Sequence, residues 1–355
     1  MRNDPELINV RPDEVLDLTR LEPWLRTNLS RTDGPLTVRQ FPGGHANLTY
    51  LVRFGETDYV LRRPPLGPIP PTSHDMAREH RVLTRLGEVF PLAPTSFALC
   101  QDRSVMEVDF HVMERRQGLI IRSSLPPDLK DEPSTVRRLS EMIVDTLADL
   151  HTIDSDRIGL GNLGHPDGFV DRQLAGWSTR WHAANTQECP TVDRLIRWLH
   201  EQRPASPVTS LLHNDYKLDN ILLDPSQPAT ATAVLDWDMC TRGDPLVDLG
   251  YLLNVWIERG DPPEWRENTA MPSYEDGFMT RSDVVERYAK RTGFDVGGAL
   301  WYYAFGVFKL MVILQQIYVR YLRGQTKDPR FADLGRRVQG LADKGAVITN
   351  RDRSL

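Results

Sequence analysis

The chain has 355 residues, more than one hydrophobic core comfortably serves, so two domains or two lobes around a cleft are expected. Its composition, 40% apolar and 26% charged, is that of an ordinary globular protein and points away from disordered and membrane-embedded classes. The 43 basic and 49 acidic side chains give a formal charge of -6, which argues against a protein that coats nucleic acid or an anionic membrane.

In chain order, the opening stretch MRNDPELINVRPDEV lacks the apolar centre of a secretory leader. Residues 36 to 63 read as three short strands, LTVRQF, LTYLVRF and YVLRR, separated by PGGHAN and GETD, which carry the Gly and Asn that hairpins need. The Pro-rich stretch from Pro64 to Pro71 ends this sheet, and Ser73 or Asp75 is placed to N-cap a helix through MAREHRVLTRLGEV. SFALC and EVDFHVMER add two strands, which makes a small, mostly antiparallel sheet with one helix. From Glu132 onward helical patterns dominate. Leu139, Ile143, Leu147 and Leu150 share one face of a helix that runs into His151. Further helices are predicted at 170–185, 191–202, 244–258, 281–291 and 299–322. Only two strand-like pieces break this half, TSLLH and TAVLD, and each delivers an acidic cluster at its C-terminal side. If the two strands pair, both clusters meet at one rim, a concentration of negative charge that calls for a cation. Trp301 to Leu322 is apolar, but Lys309, Gln315, Gln316 and Arg320 interrupt it, so it reads as a buried helix rather than a membrane span. The three cysteines, Cys100, Cys189 and Cys240, are odd in number and far apart, which fits a reducing cytoplasm and offers neither a disulfide framework nor a CxxC site.

The chemistry concentrates in LLHNDYKLDNILLD, residues 211 to 224. His213, Asp215 and Asn220 give the spacing H-x-D-x-x-x-x-N, with Lys217 two residues after the aspartate, and Asp236 follows in VLDWD, sixteen residues beyond Asn220. Each motif follows an apolar strand. A solvated loop would explain either one, but not the ordered pair.

These motifs resemble the catalytic core of the protein-kinase-like fold, and within it the aminoglycoside phosphotransferase and choline kinase family of small-molecule kinases. The resemblance covers nearly the whole chain and implies an α+β, bilobal architecture. A small antiparallel-sheet N-lobe over residues 1–115 would bind nucleotide, and a larger, mostly helical C-lobe over 116–355 would hold the catalytic loop, metal site and substrate helices. It implies ATP or GTP as co-substrate and Mg²⁺ as cofactor. Asp215 would accept or orient the proton of the substrate hydroxyl, Lys217 is close enough to reach the transferred phosphoryl, and Asn220 and Asp236 would hold magnesium. In PGGHAN, Gly43, Gly44, His45 and Asn47 would lie over the phosphates. Arg62 stands where the family most often has Lys, with Glu79 as its ion-pair partner, and Met113 to Arg115 resemble the hinge that pairs with adenine. The plain alternative for Arg62 and Glu79 is a surface salt bridge.

The run from Asp236 to Asp248 is too short for the activation loop of a protein kinase, so the acceptor is expected to be a small hydroxylated molecule. QFPGGHANLTY and YVLRRPP look closest to the branch that occurs fused ahead of acyl-CoA dehydrogenases, which makes a hydroxyacyl-CoA the leading acceptor over an aminoglycoside or choline. Asp244 reads as a helix N-cap with Pro245 at the first helical position, Asp248 as a brace under the catalytic loop, and Asp238 as either a further metal ligand or an exposed acid. Trp177, Trp181 and Trp198 are either a substrate wall or core, and His151 a packing residue. Arg116, Arg122, Arg172 and Arg180 either bind an anionic tail or are solvated. Two other classes stay open: a non-catalytic nucleotide-binding module, motivated by Arg62, and a two-metal phosphohydrolase built on His213, Asp215, Asp236 and Asp238. Neither nucleic acid nor membrane is an expected partner, and oligomeric state is not legible.

Overall fold

The structure is a computed structural model that describes residues 7–42, 47–67, 74–205, 208–269, 271–326 and 328–351. Two compact units emerge, Met1–Gly118 with Thr232–Cys240, and Leu119–Ala231 with Thr241–Leu355. The short return segment is anchored in the first unit by the Val234 N–H, which donates to Leu92 O at 2.8 Å, and by Trp237, set edge-on to Phe90.

The first unit contains α1 (Leu18–Asn28), β1 (Leu36–Gln40), β2 (Leu48–Phe54), β3 (Thr57–Arg63), α2 (Met76–Leu86), β4 (Ser96–Cys100) and β5 (Phe110–Glu114). The strands form one antiparallel sheet in the order β1-β2-β3-β5-β4. Strand alternation sorts the side chains. Tyr50, Val52, Phe54, Tyr59, Leu61, Phe110 and Val112 share one core with Leu21 and Leu25 of α1. Val60, Arg62, His111 and Met113 therefore belong to the opposite face, and α2 packs on β4 and β5. Its buried Met76, Glu79, Val82, Leu83 and Leu86 recur at helical spacing, and Asp75 caps it by accepting from the Arg78 N–H at 2.9 Å. The sequence marks α1 only slightly: Asp17 caps it by accepting from the Thr19 N–H at 3.0 Å, but Pro23 lies inside it and only Leu21 and Leu25 are buried, so the open apolar face of the sheet decides its place.

In the second unit the chain runs through α3 (Pro127–Lys130), α4 (Pro133–His151), α5 (Phe169–Ala184), α6 (Pro190–Glu201), β6 (Ser210–Leu212) and β7 (Ile221–Asp224). It continues through β8 (Gln227–Val234, whose end joins the first unit), β9 (Thr241–Gly243), α7 (Leu246–Val255), α8 (Arg281–Thr292), α9 (Ala299–Leu322) and α10 (Leu334–Thr349). The two strand-like pieces TSLLH and TAVLD do not pair with each other. TSLLH is β6, which pairs with β9, and TAVLD ends β8, which pairs with β7. A local hairpin wins because Asp224 closes its turn, accepting from the Ser226 N–H and Oγ at 2.7 Å each, and a short loop costs little entropy. Helix α7 starts at Leu246 rather than Asp244, yet Asp244 still caps it by accepting from the Leu246 N–H at 2.8 Å.

Helix α9 is long and apolar enough to cross a membrane by length and composition, and 78% of its apolar window is buried. It meets α7 backbone to backbone. A Cβ on Gly250 would lie 2.1 Å from Tyr302 O, and one on Gly306 would lie 2.5 Å from Gly250 O. Gly250→Ala is therefore expected to force the helices apart and cost about 1–3 kcal/mol or more. A lower urea midpoint at constant slope is the expected reading, and an unchanged midpoint refutes this packing.

Candidate functional site

In the second unit, β6 delivers the chain to a loop that a 3-10 turn at Leu218–Asn220 returns into β7. Asn214 takes φ 67°, a left-handed conformation that Asn tolerates better than most residues. Asp248, buried on α7, holds this loop: it accepts from the His213 N–H at 2.6 Å and from the Asn214 N–H at 2.8 Å, and His151 Nε2 lies 3.3 Å away. His151 is set by the Tyr288 hydroxyl at its Nδ1, 2.6 Å away. Buried His213 accepts from the Asp215 N–H through Nδ1 at 3.3 Å. Both histidines thus serve the loop from inside the fold.

Burial alone would raise the Asp248 carboxyl, but the hydrogen bond and charge of His151, with His213 beside it, hold it below the usual carboxylate range. A depressed acid contributes stability that is complete above its unfolded pKa and is lost as pH falls through its lower folded value. Asp248→Asn is expected to cost about 1–3 kcal/mol by leaving one buried N–H unpaired, and to flatten the acid limb of stability against pH. Urea midpoints between pH 3 and pH 7 check both, and an unchanged acid limb removes Asp248 from this role.

Held in this way, the loop gathers three of the predicted residues. Asn220 Nδ2 donates to Asp215 Oδ2 at 3.0 Å and to Asp215 O at 2.9 Å, and Lys217 Nζ lies 3.2 Å from Asp215 Oδ2. The Tyr251 hydroxyl on α7 is pushed well above its ordinary range, first by burial and then by the charge of Asp215.

The first unit carries a second cluster. Arg62 is 8% exposed, and its cross-strand partner is His111, on the same face of the sheet. Glu79 of α2 reaches both, with Oε1 2.6 Å from Arg62 Nη1 and Oε2 3.3 Å from His111 Nε2. The surface salt-bridge alternative is thereby excluded, because Glu79 is fully buried. Arg62 also pairs with Asp236 and lies 3.8 Å from Asp238. Burial would lower the Arg62 guanidinium, but Glu79, Asp236 and Asp238 raise it above its ordinary value. Burial would likewise raise Glu79, and Arg62 followed by His111 brings it below its ordinary value. Asp238 is pushed up to about 7, first by burial and then by Asp236. Asn47 is buried here, donating from Nδ2 to Asp238 Oδ2 at 3.0 Å, while its Oδ1 lies 2.8 Å from His74 Nδ1. Asp236 itself sits at φ 69°, a costly conformation for a residue with a side chain and one that concentrates at functional sites.

Three carboxylates around one guanidinium leave negative charge in excess, on hard oxygen donors that suit Mg²⁺. Among the described residues no group of three or more His, Cys, Asp or Glu forms a complete metal cage.

Gly43, Gly44 and His45 lie outside the described residues. Met113 is buried in β5, and the Glu114 N–H beside it donates to Thr95 O at 2.8 Å. Arg115 pairs with Asp58 on β3. Trp177 and Trp181 are core residues, whereas Trp198 lines a cavity of about 400 Å³ with Phe294, Trp301 and Tyr302. Arg116 and Arg172 bond to nearby carbonyls, and Arg180 stacks over Trp177, so these three act locally. Sequence reading misses His74, His111, Tyr251 and Lys309. Only Lys309 leaves a trace, as a cation in an otherwise apolar helix.

The profile of the phosphotransferase enzyme family matches residues 37–271. Acyl-CoA dehydrogenase family member 11 of Rattus norvegicus is 33% identical over 365 residues, covering 98% of this chain and 45% of that protein. The chain thus spans less than half the length of this relative. A crystal structure from Ralstonia eutropha, of a protein assigned to the aminoglycoside phosphotransferases, is 30% identical with a TM-score of 0.82, covering 94% of this chain and 98% of that one. An aminoglycoside phosphotransferase bound to ADP and hygromycin B shares the fold at 16% identity, with a TM-score of 0.57 over 93% and 99% of the two chains. By its matched residues and by the protein-kinase-like α+β fold it shares with these structures, the chain belongs to the phosphotransferase enzyme family.

Proposed function

We propose that the chain is a Mg²⁺-dependent kinase that transfers the γ-phosphoryl group of ATP or GTP to a hydroxyl of a small molecule, with a hydroxyacyl-CoA as the leading acceptor. The observation that carries this reading is Asp215, partly exposed on a buried scaffold and held by Asn220 and Lys217. Asp215 orients the acceptor hydroxyl and receives its proton as the new oxygen–phosphorus bond forms and the bond to the nucleoside diphosphate breaks. Lys217 faces the transferred group and offsets charge on its oxygens. A metaphosphate-like transition state asks little more of a protein than alignment and charge neutralisation.

Bound Mg²⁺ would supply Lewis-acid neutralisation of the nucleotide phosphates. In the first unit Asp236, with Asp238 nearby, would hold it; in the second unit Asn220 offers an amide oxygen of the same hard type. Arg62 takes the place of the phosphate-binding lysine, with the Gly43, Gly44, His45 and Asn47 segment as the phosphate loop and Met113 to Arg115 as the adenine hinge. A cytoplasmic location fits this use of cellular nucleotide.

The hydroxyacyl-CoA choice is supported by the acyl-CoA dehydrogenase relative. The aminoglycoside alternative is supported by the Ralstonia eutropha structure. ADP and GDP release measured across hydroxyacyl-CoAs, aminoglycosides and choline tests this, and Asp215-dependent turnover with a hydroxyacyl-CoA is expected. Turnover with an aminoglycoside or choline moves the acceptor, not the chemistry. Tight nucleotide binding with no transfer to any acceptor overturns the kinase reading in favour of a non-catalytic nucleotide-binding module, which Arg62 alone favours.

A further inference from the structure

We propose that Lys309 is a positioning residue for Asp215, an ammonium in the middle of α9 that fixes the peptide from which Asp215 leaves the loop. Its kinetic consequence rests on the kinase reading. Its structural content does not.

Lys309 is 4% exposed, and its Nζ donates to Asn214 O at 2.7 Å. The same residue, left-handed at φ 67°, gives its N–H to Asp248 Oδ1 at 2.8 Å. Asn214 is therefore gripped at both ends, by a carboxylate from α7 and an ammonium from α9. Those helices touch backbone to backbone at Gly250 and Gly306, one turn before Lys309, so their separation and the grip are set together. Tyr251, next to Gly250, completes the arrangement. Its ring lies 4.9 Å beneath Lys309 Nζ, which adds a cation–π contact to the grip.

Energetics support a specific role. Burial lowers the amine of Lys309, and the charges of Asp248 and Asp215 only partly oppose that. An apolar residue in the same volume would spare this desolvation and commonly stabilises a core. What an apolar residue cannot do is donate to the Asn214 carbonyl and hold a left-handed residue in place beside the reacting carboxylate.

The test is Lys309→Met, which keeps volume and removes the charge. Amide exchange of the segment 211–222 is expected to accelerate about tenfold, with the rest of the second unit unchanged. Turnover should fall about 10- to 100-fold while nucleotide Kd stays within about twofold. Lys309→Gln, which can still donate to the carbonyl, should recover part of both effects. If the wild-type protein transfers phosphoryl to no acceptor, the kinase reading fails and the exchange measurement still decides the inference. Unchanged exchange at 211–222 in a folded Lys309→Met protein overturns it. Global unfolding of both variants also counts against it, since a residue acting on the loop leaves the remaining core intact.

Discussion

Asp215→Asn is expected to lower turnover about 10²- to 10⁴-fold, the usual contribution of a positioned base, while nucleotide Kd changes by less than about threefold. The asymmetry follows from what Asp215 touches. Its carboxylate is held by Asn220 and Lys217 and belongs to the loop, not to the cluster around Arg62. The amide isostere keeps the shape of that contact set and loses the basic oxygen. Coupled ADP release and calorimetric nucleotide titration separate the two quantities. Turnover that survives in Asp215→Asn would take Asp215 out of the chemistry, and equal loss of turnover and binding would mean that the loop has lost its fold.

Arg62→Ala is expected to be the most destabilising single change in the first unit, at about 3–5 kcal/mol, because it leaves charges buried without their partner. Glu79 is fully buried, and Asp236 and Asp238 lie on the far side of the same guanidinium. Without Arg62, Glu79 keeps His111, 3.3 Å away, as its one close partner among the described residues. Arg62→Lys should recover part of the loss. A point charge can replace the cation, but it cannot span Glu79 and Asp236 with two nitrogens. Urea midpoints rank the three proteins, and equal stability of Arg62→Ala and wild type would refute the interior ion-pair reading. The ordering also bears on nucleotide binding: Arg62→Lys should bind more tightly than Arg62→Ala if the cation faces phosphate.

The repeating patterns were legible in the sequence because they are local. Short apolar runs between turn residues mark β2 and β3, apolar helical spacing marks α2 and α4, and Asp75 marks a helix start. The spacing of His213, Asp215 and Asn220 was legible for the same reason: a loop of that length between two apolar strands has few ways to present its charges. Harder to read were α1, whose two buried leucines carry too short a pattern, and the pairing of β6, which depends on β9 nearly thirty residues later.

By itself, the sequence determined the α+β class, most helices and strands, and the acids and amide proposed to carry phosphoryl transfer. Only the tertiary structure decided which charges are buried together. Glu79 between Arg62 and His111, Asp248 beneath His213, and Lys309 against Asn214 each join residues 17 or more positions apart. No local periodicity encodes such a contact. It depends on which faces the sheet and helices turn toward one another, and that is settled when the apolar surfaces pack.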